Sequence, residues 1–368
     1  MAFHVVLDKP LDLDGVALAA THGDRPGHAM AELCKRLDAS LHFPDPHERG
    51  GLANRLRSRL VGSPGTWALA ERLAEQTSKN DVIFCASEHT GYPLAATLKR
   101  PDHARVAVMV HNVDRPRTRA AFRAFALNKC PTLFLSPSKT QIEYFASAGV
   151  PEKRRLHVLD QTDTVFFAPG VQRPKTRPLI VSVGLEQRDY RTLAAATGDL
   201  DLDVRISGFS TDAALLAETF PEVMPTNLQQ AFYEWGDLAQ LYRDADVVVV
   251  AVRENRYAAG VQALLEAMAS GRPVVVTEST GLAGYLDDRD ALSVVPQGDP
   301  DAMRRAILDL LMNPSQAEER AKRARQIAEA RYSSEKHVSQ LEQLLRGLAG
   351  GHRDREMLLH DQSSAAIS

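Results

Sequence analysis

The chain has 368 residues, 44% of them hydrophobic and 25% charged, and its formal net charge at pH 7 is -3. That length allows two domains with cores of their own, and the composition is that of a soluble, folded protein. It excludes a strongly basic nucleic-acid-binding protein, a collagen-like chain and a disordered one.

Cysteine usage and hydropathy indicate the compartment. The three cysteines lie too far apart to form a CxxC pair, which argues against a disulfide framework or a structural zinc site; they are Cys34, Cys85 and Cys130. The aspartate at position 8 comes too early for a secretory signal, and no apolar run approaches the ~20 residues that span a bilayer. We therefore expect a cytoplasmic protein.

The two halves differ in charge. Residues 1–170 carry 22 basic and 18 acidic side chains, whereas residues 171–368 carry 22 and 29. The small basic excess suits an anionic ligand or a lipid surface, or is ordinary surface charge. A helical stretch at 115–129 carries Arg115, Arg119, Phe122, Arg123 and Phe125. It leaves open a weak peripheral contact of the N-terminal domain with the inner membrane face, although a solvated helix with two core phenylalanines is the simpler interpretation.

Short apolar runs alternate with helical patterns along the first half. The runs are VIFCAS, VAVMV and TLFLS, at 82–87, 106–110 and 132–136. A segment rich in proline and basic residues, PGVQRPKTRP at 169–178, interrupts the pattern and is the predicted linker. Strands that alternate with helices indicate parallel β-structure.

The alternation restarts after the linker. Five apolar runs, separated by helical patterns that include 211–219 and 260–271, lie at 178–184, 203–208, 247–252, 273–277 and 291–295. Near-continuous valine and isoleucine runs are typical of strands covered by helices on both faces. We predict an α/β fold of two Rossmann-like domains whose parallel sheets face each other across a cleft. The predicted boundaries are 1–168, the linker 169–178, 179–350 with C-terminal helices, and a disordered tail at 351–368.

Residues 242–282 carry a pattern long enough to compare with known families. The order of a buried strand, a short loop and the segment LEAMASGRPVV resembles the donor half of family 4 glycosyltransferases. Residues 181–196 look like the first strand and helix of that half, and residues 134–170 are similar to the segment that joins the two halves. The resemblance implies the GT-B fold, with an N-terminal acceptor domain, a C-terminal domain for a nucleotide-diphosphate sugar, retention at the anomeric carbon, and no metal or cofactor.

Glu266 lies inside the most apolar part of this pattern. The resemblance implies that its carboxylate binds the ribose hydroxyls of the donor, whereas an isolated glutamate at this place would simply face solvent. Ahead of it, small residues would let backbone N–H groups approach a diphosphate where the helix begins, at Ala258, Ala259, Gly260 and Val261. Arg256 would add charge there or is an ordinary surface arginine.

The pattern departs from the family at residue 258. Family members have a glutamate at that place, which binds hydroxyls of the transferred sugar, and this chain has Ala258. Three interpretations stay open. Glu254 replaces the missing group through a shifted loop, the donor specificity is unusual, or donor turnover has been lost.

The turn at 184–189 contains the predicted leaving-group cation. The resemblance implies a basic group for the diphosphate here, and Arg188 is our candidate, following Gly184. Asp189 is predicted to cap the next helix and to orient the arginine. The alternative is an exposed arginine at a helix start.

In the first half, polar residues follow two of the predicted strands. His111 comes directly after one of them, and the resemblance places it near the sugar being transferred, whereas a histidine at such a place is otherwise structural. Glu88, His89 and Asp114 are candidates for binding the acceptor.

We therefore predict a retaining glycosyltransferase of hexosyltransferase type, with a hydroxyl acceptor that is a glycan, a lipid or a small molecule, and with no nucleic-acid partner. Catalysis would rest on His111, Arg188 and Glu266. Two alternatives are a sugar-nucleotide epimerase or hydrolase of the same fold, and a nucleotide-sugar-binding protein without turnover.

Overall fold

A computed structural model of the chain describes residues 1–209 and 218–350. The helix predicted at 211–219 falls mostly outside the described residues, and the tail predicted at 351–368 lies entirely outside them. The chain divides into two compact units. Of the described residues, the first contains Met1–Asp14, His28–Val158 and residues 337–350, and the second contains Gly15–Gly27 and those between Leu159 and Lys336.

The first unit is built on a six-stranded parallel sheet with the order β2-β1-β3-β4-β5-β6. The strands are β1 (Phe3–Val6), β2 (Ser40–His42), β3 (Val82–Cys85), β4 (Arg105–Met109), β5 (Leu133–Ser136) and β6 (Arg155–His157). The helices of this part of the chain are α1 (Leu13–Thr21), α2 (Ala29–Leu37), α3 (Leu52–Arg57), α4 (Pro64–Gln76), α5 (Glu88–Thr97), α6 (Pro116–Ala124) and α7 (Lys139–Ser147).

Both faces of this sheet are buried, as parallel sheets require. Along β3, Ile83 and Cys85 join a core cluster with α4 and α5, whereas Val82 and Phe84 join a second cluster on the opposite face. The second cluster is completed by α13 (Ser334–Gly350), the last helix of the described chain. The predicted boundaries had placed this helix with residues 179–350, but in the structure residues 337–350 group with the first unit.

The stretch at 115–129 forms α6 and a short 3-10 turn. Phe122 is buried in the core and Phe125 is half-buried, with its ring 5.0 Å from that of Trp67. Arg119 is paired with Asp114. These phenylalanines therefore pack inward, which is the simpler of the two interpretations of this segment. Within the described residues, no helix combines the length and the apolarity needed to cross a bilayer.

The second unit repeats the architecture with the strand order β12-β11-β10-β7-β8-β9, again all parallel. Its strands are β7 (Leu179–Val183), β8 (Asp203–Ser207), β9 (Leu228–Gln230), β10 (Val247–Val250), β11 (Val274–Thr277) and β12 (Ser293–Val295). Its helices are α8 (Tyr190–Thr197), α9 (Trp235–Asp244), α10 (Val261–Ala269), α11 (Pro300–Met312) and α12 (Pro314–Arg331).

The direction in which strands are added reverses between β7 and β10. The chain builds outward from β7 to β9 on one side, then returns to place β10 against the other side of β7. At such a switch point the loops that leave the two neighbouring strands diverge and create a crevice at the carboxyl edge of the sheet. The two Rossmann-like units confirm the predicted fold class, and they direct attention to the loops after β7 and β10.

Candidate active site

The loops that follow β7 and β10 are joined to each other by backbone hydrogen bonds. The N–H of Asp189 donates to the carbonyl of Ala251 at 3.0 Å, and the N–H of Arg253 donates to the carbonyl of Gln187 at 2.9 Å. Between them, Arg188 and Val252 form an antiparallel bridge. The two loops therefore behave as one rigid rim at the switch point.

Glu266 lies on α10 and does not face bulk solvent. Its side chain is 9% exposed, and its Oε2 accepts a hydrogen bond of 2.8 Å from the hydroxyl of Tyr242, a fully buried residue of α9. Burial raises the pKa of Glu266 to about 7, although the Tyr242 hydrogen bond and the positive charge of Arg188 both lower it. The structure thus holds an acid inside the unit that changes charge near neutral pH.

Arg188 is buried as well, with 4% exposure. Its Nε donates to the carbonyl of Val183 at 2.8 Å and its Nη1 donates to the carbonyl of Glu186 at 2.9 Å. This excludes the alternative of a solvated arginine at a helix start. The guanidinium is fixed by backbone carbonyls, so its charge is held in one place rather than on a flexible side chain.

Two glycines make room for this guanidinium. A Cβ added to Gly184 would lie 2.3 Å from Nη2 of Arg188, and one added to Gly260 would lie 2.7 Å from Cγ1 of Val252 and 3.3 Å from Nη1 of Arg188. Both glycines also have positive φ angles, of 99° and 90°. The sequence therefore needs glycine on both sides of the arginine for steric and conformational reasons.

Asp189 has one of its two predicted roles. It is the N-cap of α8, where its Oδ1 accepts from the N–H of Thr192 at 3.1 Å and its Oδ2 accepts from the hydroxyl of Thr192 at 2.6 Å. Orienting Arg188 is not its role, since the guanidinium is held by the carbonyls of Val183 and Glu186. The predicted orienting role of Asp189 is therefore wrong, because Thr192 occupies both of its carboxylate oxygens.

The loop before α10 is organised around Asn255, a buried residue that the sequence did not single out. Its Nδ2 donates to the carbonyl of Arg253 at 2.9 Å and to Oγ of Ser279 at 3.0 Å, and its Oδ1 accepts from the N–H of Ala259 at 3.4 Å. Gly260 is the N-cap and α10 begins at Val261. Ala258, which is half-buried, lies between these fixed points.

The charged residues of the same loop point to other partners. Glu254 is exposed, and its carboxylate accepts hydrogen bonds from the N–H and hydroxyl of Thr280 and from Nε2 of Gln297. These three residues line a cavity of about 560 Å³ beyond β11 and β12. Arg256 is exposed. The structure therefore brings Gly184, Arg188, Gly260 and Glu266 together, and turns Glu254 toward the neighbouring strands.

In the first unit, Glu88 is buried and has a structural task. Its carboxylate accepts from the backbone N–H groups of His111 and Asn112, at 3.0 and 3.3 Å, and so fixes the loop after β4. His111 itself is exposed, with its Nε2 3.1 Å from the carbonyl of Ala86, and His89 is exposed at the start of α5. Asp114 is paired with Arg119 and also accepts from Nε2 of Gln141.

Sequence reasoning missed the partners of the predicted site residues. Tyr242 is 24 positions from Glu266, and the bond between Tyr257 and Glu186 joins residues 71 positions apart. The tyrosine in LYRDA has the ordinary spacing of a core residue on α9, so the sequence carried no signal for its hydroxyl. Tyr257 stands in the loop before α10, where the small and charged residues carry the sequence signal and a tyrosine carries none.

Comparison with known proteins matches part of the second unit to a family. Residues 193–313, which contain α9, β10 and α10, match the family model of the group 1 glycosyl transferases. Among curated proteins, no sequence matches the chain. The family match confirms the resemblance stated for residues 242–282.

Solved structures with a similar fold cover almost the whole chain. A sucrose-phosphate synthase from Thermosynechococcus elongatus has a TM-score of 0.71 at 17% identity, over 94% of this chain and 98% of its own. An α,α-trehalose 6-phosphate synthase from Burkholderia multivorans has a TM-score of 0.69 at 14% identity, over 95% and 99%. HepE from Anabaena, in complex with UDP and glucose, has a TM-score of 0.67 at 14% identity, over 94% and 100%.

The fold and the family match together define the class of protein. At these identities the solved structures show a shared fold, and that fold is GT-B. The family model adds the activity class over the part of the chain that holds Glu266. The chain has the GT-B fold with two Rossmann-like units, and the matched part of its second unit is similar to the group 1 glycosyl transferases.

Replacing Glu266 by glutamine is expected to change how stability depends on pH. The folded wild-type protein keeps a proton on Glu266 that the unfolded chain releases, so its stability falls as pH rises from the ordinary value of 4.5 to about 7. Glu266→Gln does not lose stability in this way. Relative to pH 4, the free energy of unfolding of the wild type should therefore fall by on the order of 3 kcal/mol more than that of Glu266→Gln above pH 7.

The measurement is urea unfolding followed by tryptophan fluorescence between pH 4 and 8. The chain has two tryptophans, Trp67 in the first unit and Trp235 on α9, so a Trp67→Phe background reports on the second unit alone. The exposed Glu319→Gln is the control, and it should follow the wild type. Parallel curves for wild type and Glu266→Gln would contradict the burial of this acid.

Gly184→Ala is expected to displace Arg188. The positive φ angle alone costs an alanine roughly 1–2 kcal/mol, and the clash with the guanidinium adds a cost of the kind seen on overpacking, about 1–3 kcal/mol. Gly298→Ala is a matched control, because Gly298 has a φ of +67° and nothing within 4 Å of an added Cβ. The urea midpoint of unfolding should fall further for Gly184→Ala than for Gly298→Ala. Equal decreases in the two variants would show that Arg188 moves aside with no loss of stability.

Proposed function

We propose that this glycosyltransferase moves a hexosyl group from a nucleotide-diphosphate donor to a hydroxyl of an acceptor, with retention at the anomeric carbon. The observation that carries the proposal is the buried carboxylate of Glu266, held by Tyr242 beside the fixed guanidinium of Arg188 at the switch point of the second unit. A buried carboxylate is stabilised by hydrogen-bond donors, and a buried guanidinium is stabilised by an anion or by acceptors.

The carboxylate of Glu266 suits a pair of neighbouring hydroxyls. When it is ionised it only accepts hydrogen bonds, and the single bond from Tyr242 to Oε2 leaves capacity on both oxygens. A ribose offers two adjacent hydroxyl donors. We assign the ribose of the donor to Glu266 in its ionised form, which ties nucleotide binding to the protonation state of this residue.

The diphosphate is assigned to Arg188 and to the first turn of α10. The helix begins at Val261 after Gly260, so its first N–H groups and the positive end of its dipole point toward the same rim as the arginine. As the bond from the anomeric carbon to the diphosphate oxygen breaks, negative charge collects on the departing diphosphate. A cation already held in place stabilises that charge without reorganisation. The proposal includes no metal and no cofactor.

Similar structures support the choice of donor. HepE from Anabaena has been solved with UDP, with UDP-glucose, and with UDP and glucose. Retention and hexosyl transfer rest on the resemblance of residues 242–282 to family 4. In the first unit, His111 and His89 are the exposed polar side chains that we assign to acceptor chemistry, while Glu88 holds the loop that carries His111. The three free cysteines suit a cytoplasmic location.

Glu266→Gln should weaken nucleotide binding and remove its pH dependence. In the wild type, affinity for a nucleoside diphosphate should rise as pH increases from 6 to 8, because Glu266 loses its proton near pH 7. Hydrogen bonds to a charged group are worth ~1.5–3 kcal/mol, so Glu266→Gln should bind on the order of 10- to 100-fold more weakly at pH 8. Isothermal titration with UDP, GDP and ADP measures this, with Glu319→Gln as control. Unchanged affinity in Glu266→Gln would remove the main support for the proposal.

A second measurement separates transfer from the alternative activities. Consumption of each nucleotide-hexose is followed with and without a set of hydroxyl acceptors, and the anomeric configuration of the product is read by NMR. If the protein transfers the sugar, the nucleotide-hexose is consumed only when an acceptor is present, and the product keeps the anomeric configuration of the donor. Consumption without acceptor would indicate a hydrolase or an epimerase, and binding without consumption would indicate a nucleotide-sugar-binding protein.

A further inference from the structure

A side-chain bridge spans the rim of the donor site. The hydroxyl of Tyr257, in the loop after β10, donates to Oε1 of Glu186, in the loop after β7, at 3.0 Å. Both residues are half-buried. The bridge brings a carboxylate from one loop onto the loop that contains Ala258.

The main chain around Glu186 is also fixed. Its carbonyl accepts from Nη1 of Arg188 at 2.9 Å, and the carbonyl of the next residue, Gln187, accepts from the N–H of Arg253 at 2.9 Å. Gln187 has a φ of +54°, which is unusual for a residue other than glycine. The turn therefore holds the main chain of Glu186 against the arginine that we assign to the diphosphate, while Tyr257 holds its carboxylate.

A carboxylate at this position is suited to one part of the donor. It repels the phosphates, which carry the same sign of charge, but it accepts hydrogen bonds from hydroxyl groups. The hydroxyl groups that come next to a diphosphate, on the side away from the ribose, are those of the transferred sugar.

The other carboxylate of the rim is engaged elsewhere. Glu254 accepts from Thr280 and Gln297, which turns it toward β11 and β12. Residue 258 is an alanine and supplies no acceptor in its side chain. Glu186 differs from Glu254 in that its carboxylate is bonded by Tyr257, the residue directly before Ala258.

We infer that Glu186 binds a hydroxyl of the transferred sugar, that Tyr257 is its positioning residue, and that the donor sugar is a neutral hexose rather than a uronic acid. The inference rests on the proposed function, because it requires a nucleotide-diphosphate sugar at Arg188 and Glu266. It goes beyond it by naming the residue that recognises the sugar and the charge class of that sugar.

The test separates the contribution of the sugar to binding affinity from the contribution of the nucleotide. Isothermal titration at pH 8 compares UDP, GDP and ADP with their glucose esters, and UDP-glucose with UDP-glucuronate, for the wild type, Glu186→Gln, Tyr257→Phe and Glu254→Gln. Glu319→Gln is the matched control for removal of one negative charge. Circular dichroism and the urea midpoint establish that each variant is folded.

Glu186→Gln should leave the affinity for the nucleoside diphosphate within about twofold, and should weaken the nucleotide-hexose about 10- to 100-fold. The preference of the wild type for glucose over glucuronate should narrow in the same variant, because the repelling charge is gone. Tyr257→Phe should lose less affinity for the nucleotide-hexose than Glu186→Gln does. Because Tyr257 acts through Glu186, adding Tyr257→Phe to Glu186→Gln should weaken binding no further.

The contrary outcomes are distinct. Suppose that nucleoside diphosphates bind, but that Glu186→Gln leaves the ratio of the affinities for nucleotide-hexose and nucleoside diphosphate unchanged, or that Glu254→Gln is the variant that lowers this ratio. The assignment to Glu186 is then overturned, while the proposed function stands. Tighter binding of UDP-glucuronate than of UDP-glucose by the wild type would overturn the charge class. If no nucleotide binds, the proposed function fails and this inference with it.

Discussion

The hydrogen bond between Tyr242 and Glu266 is the interaction on which the site depends. An ionised carboxylate removed from water is costly unless its charge and its lone pairs are compensated. Here one compensation is a phenolic hydroxyl at 2.8 Å and another is the charge of Arg188, and burial still raises the pKa of Glu266 to about 7. The compensation is therefore incomplete in the free protein, which leaves the acid ready to gain from a ligand that brings further donors.

The arginine depends on the same neighbourhood. Its guanidinium is held by carbonyls that belong to the β7 strand end and to the following turn, and these carbonyls are in place because the turn is tied to the β10 loop. Gly184 and Gly260 leave the space that the planar group occupies. Strand order, loop pairing and two small residues thus fix one positive charge where it acts on the pKa of one buried acid.

Local patterns predicted most of the fold. Valine-rich runs gave the strands β7, β10 and β11, and the small residues before VQALLEAMA gave the start of α10. Asp189 was recognisable as a helix cap because capping is decided within four residues. The apolar neighbours of Glu266 drew attention to it, but they left open whether its side chain faces solvent, and the structure shows that it is buried. The strands β1, β2 and β9 escaped prediction, because polar residues interrupt FHVV, SLH and LQQ and none of them forms an unbroken apolar run like those of β10 and β11.

The partners of the site could not be predicted in the same way. The Tyr242 hydroxyl, the bridge from Tyr257 to Glu186 and the bonds of Asn255 to Ser279 all join residues distant in sequence. They exist because the strand order brings β7, β10 and β11 side by side, and that order is not written in any local pattern. The sequence singled out Arg188, but the groups that hold it are backbone carbonyls, which every residue has.

The position of α13 has a consequence for how the protein is made. Its residues Val338, Leu341 and Leu345 complete a core that also contains Phe3 and Val5, so the first and last parts of the described chain share one hydrophobic cluster. Domains that are continuous in sequence can fold as soon as they leave the ribosome. The core of the first unit stays incomplete until the second unit has been synthesised, since α2 covers part of this cluster early and α13 is added last. Until then, the part of the cluster that α13 covers remains exposed to water.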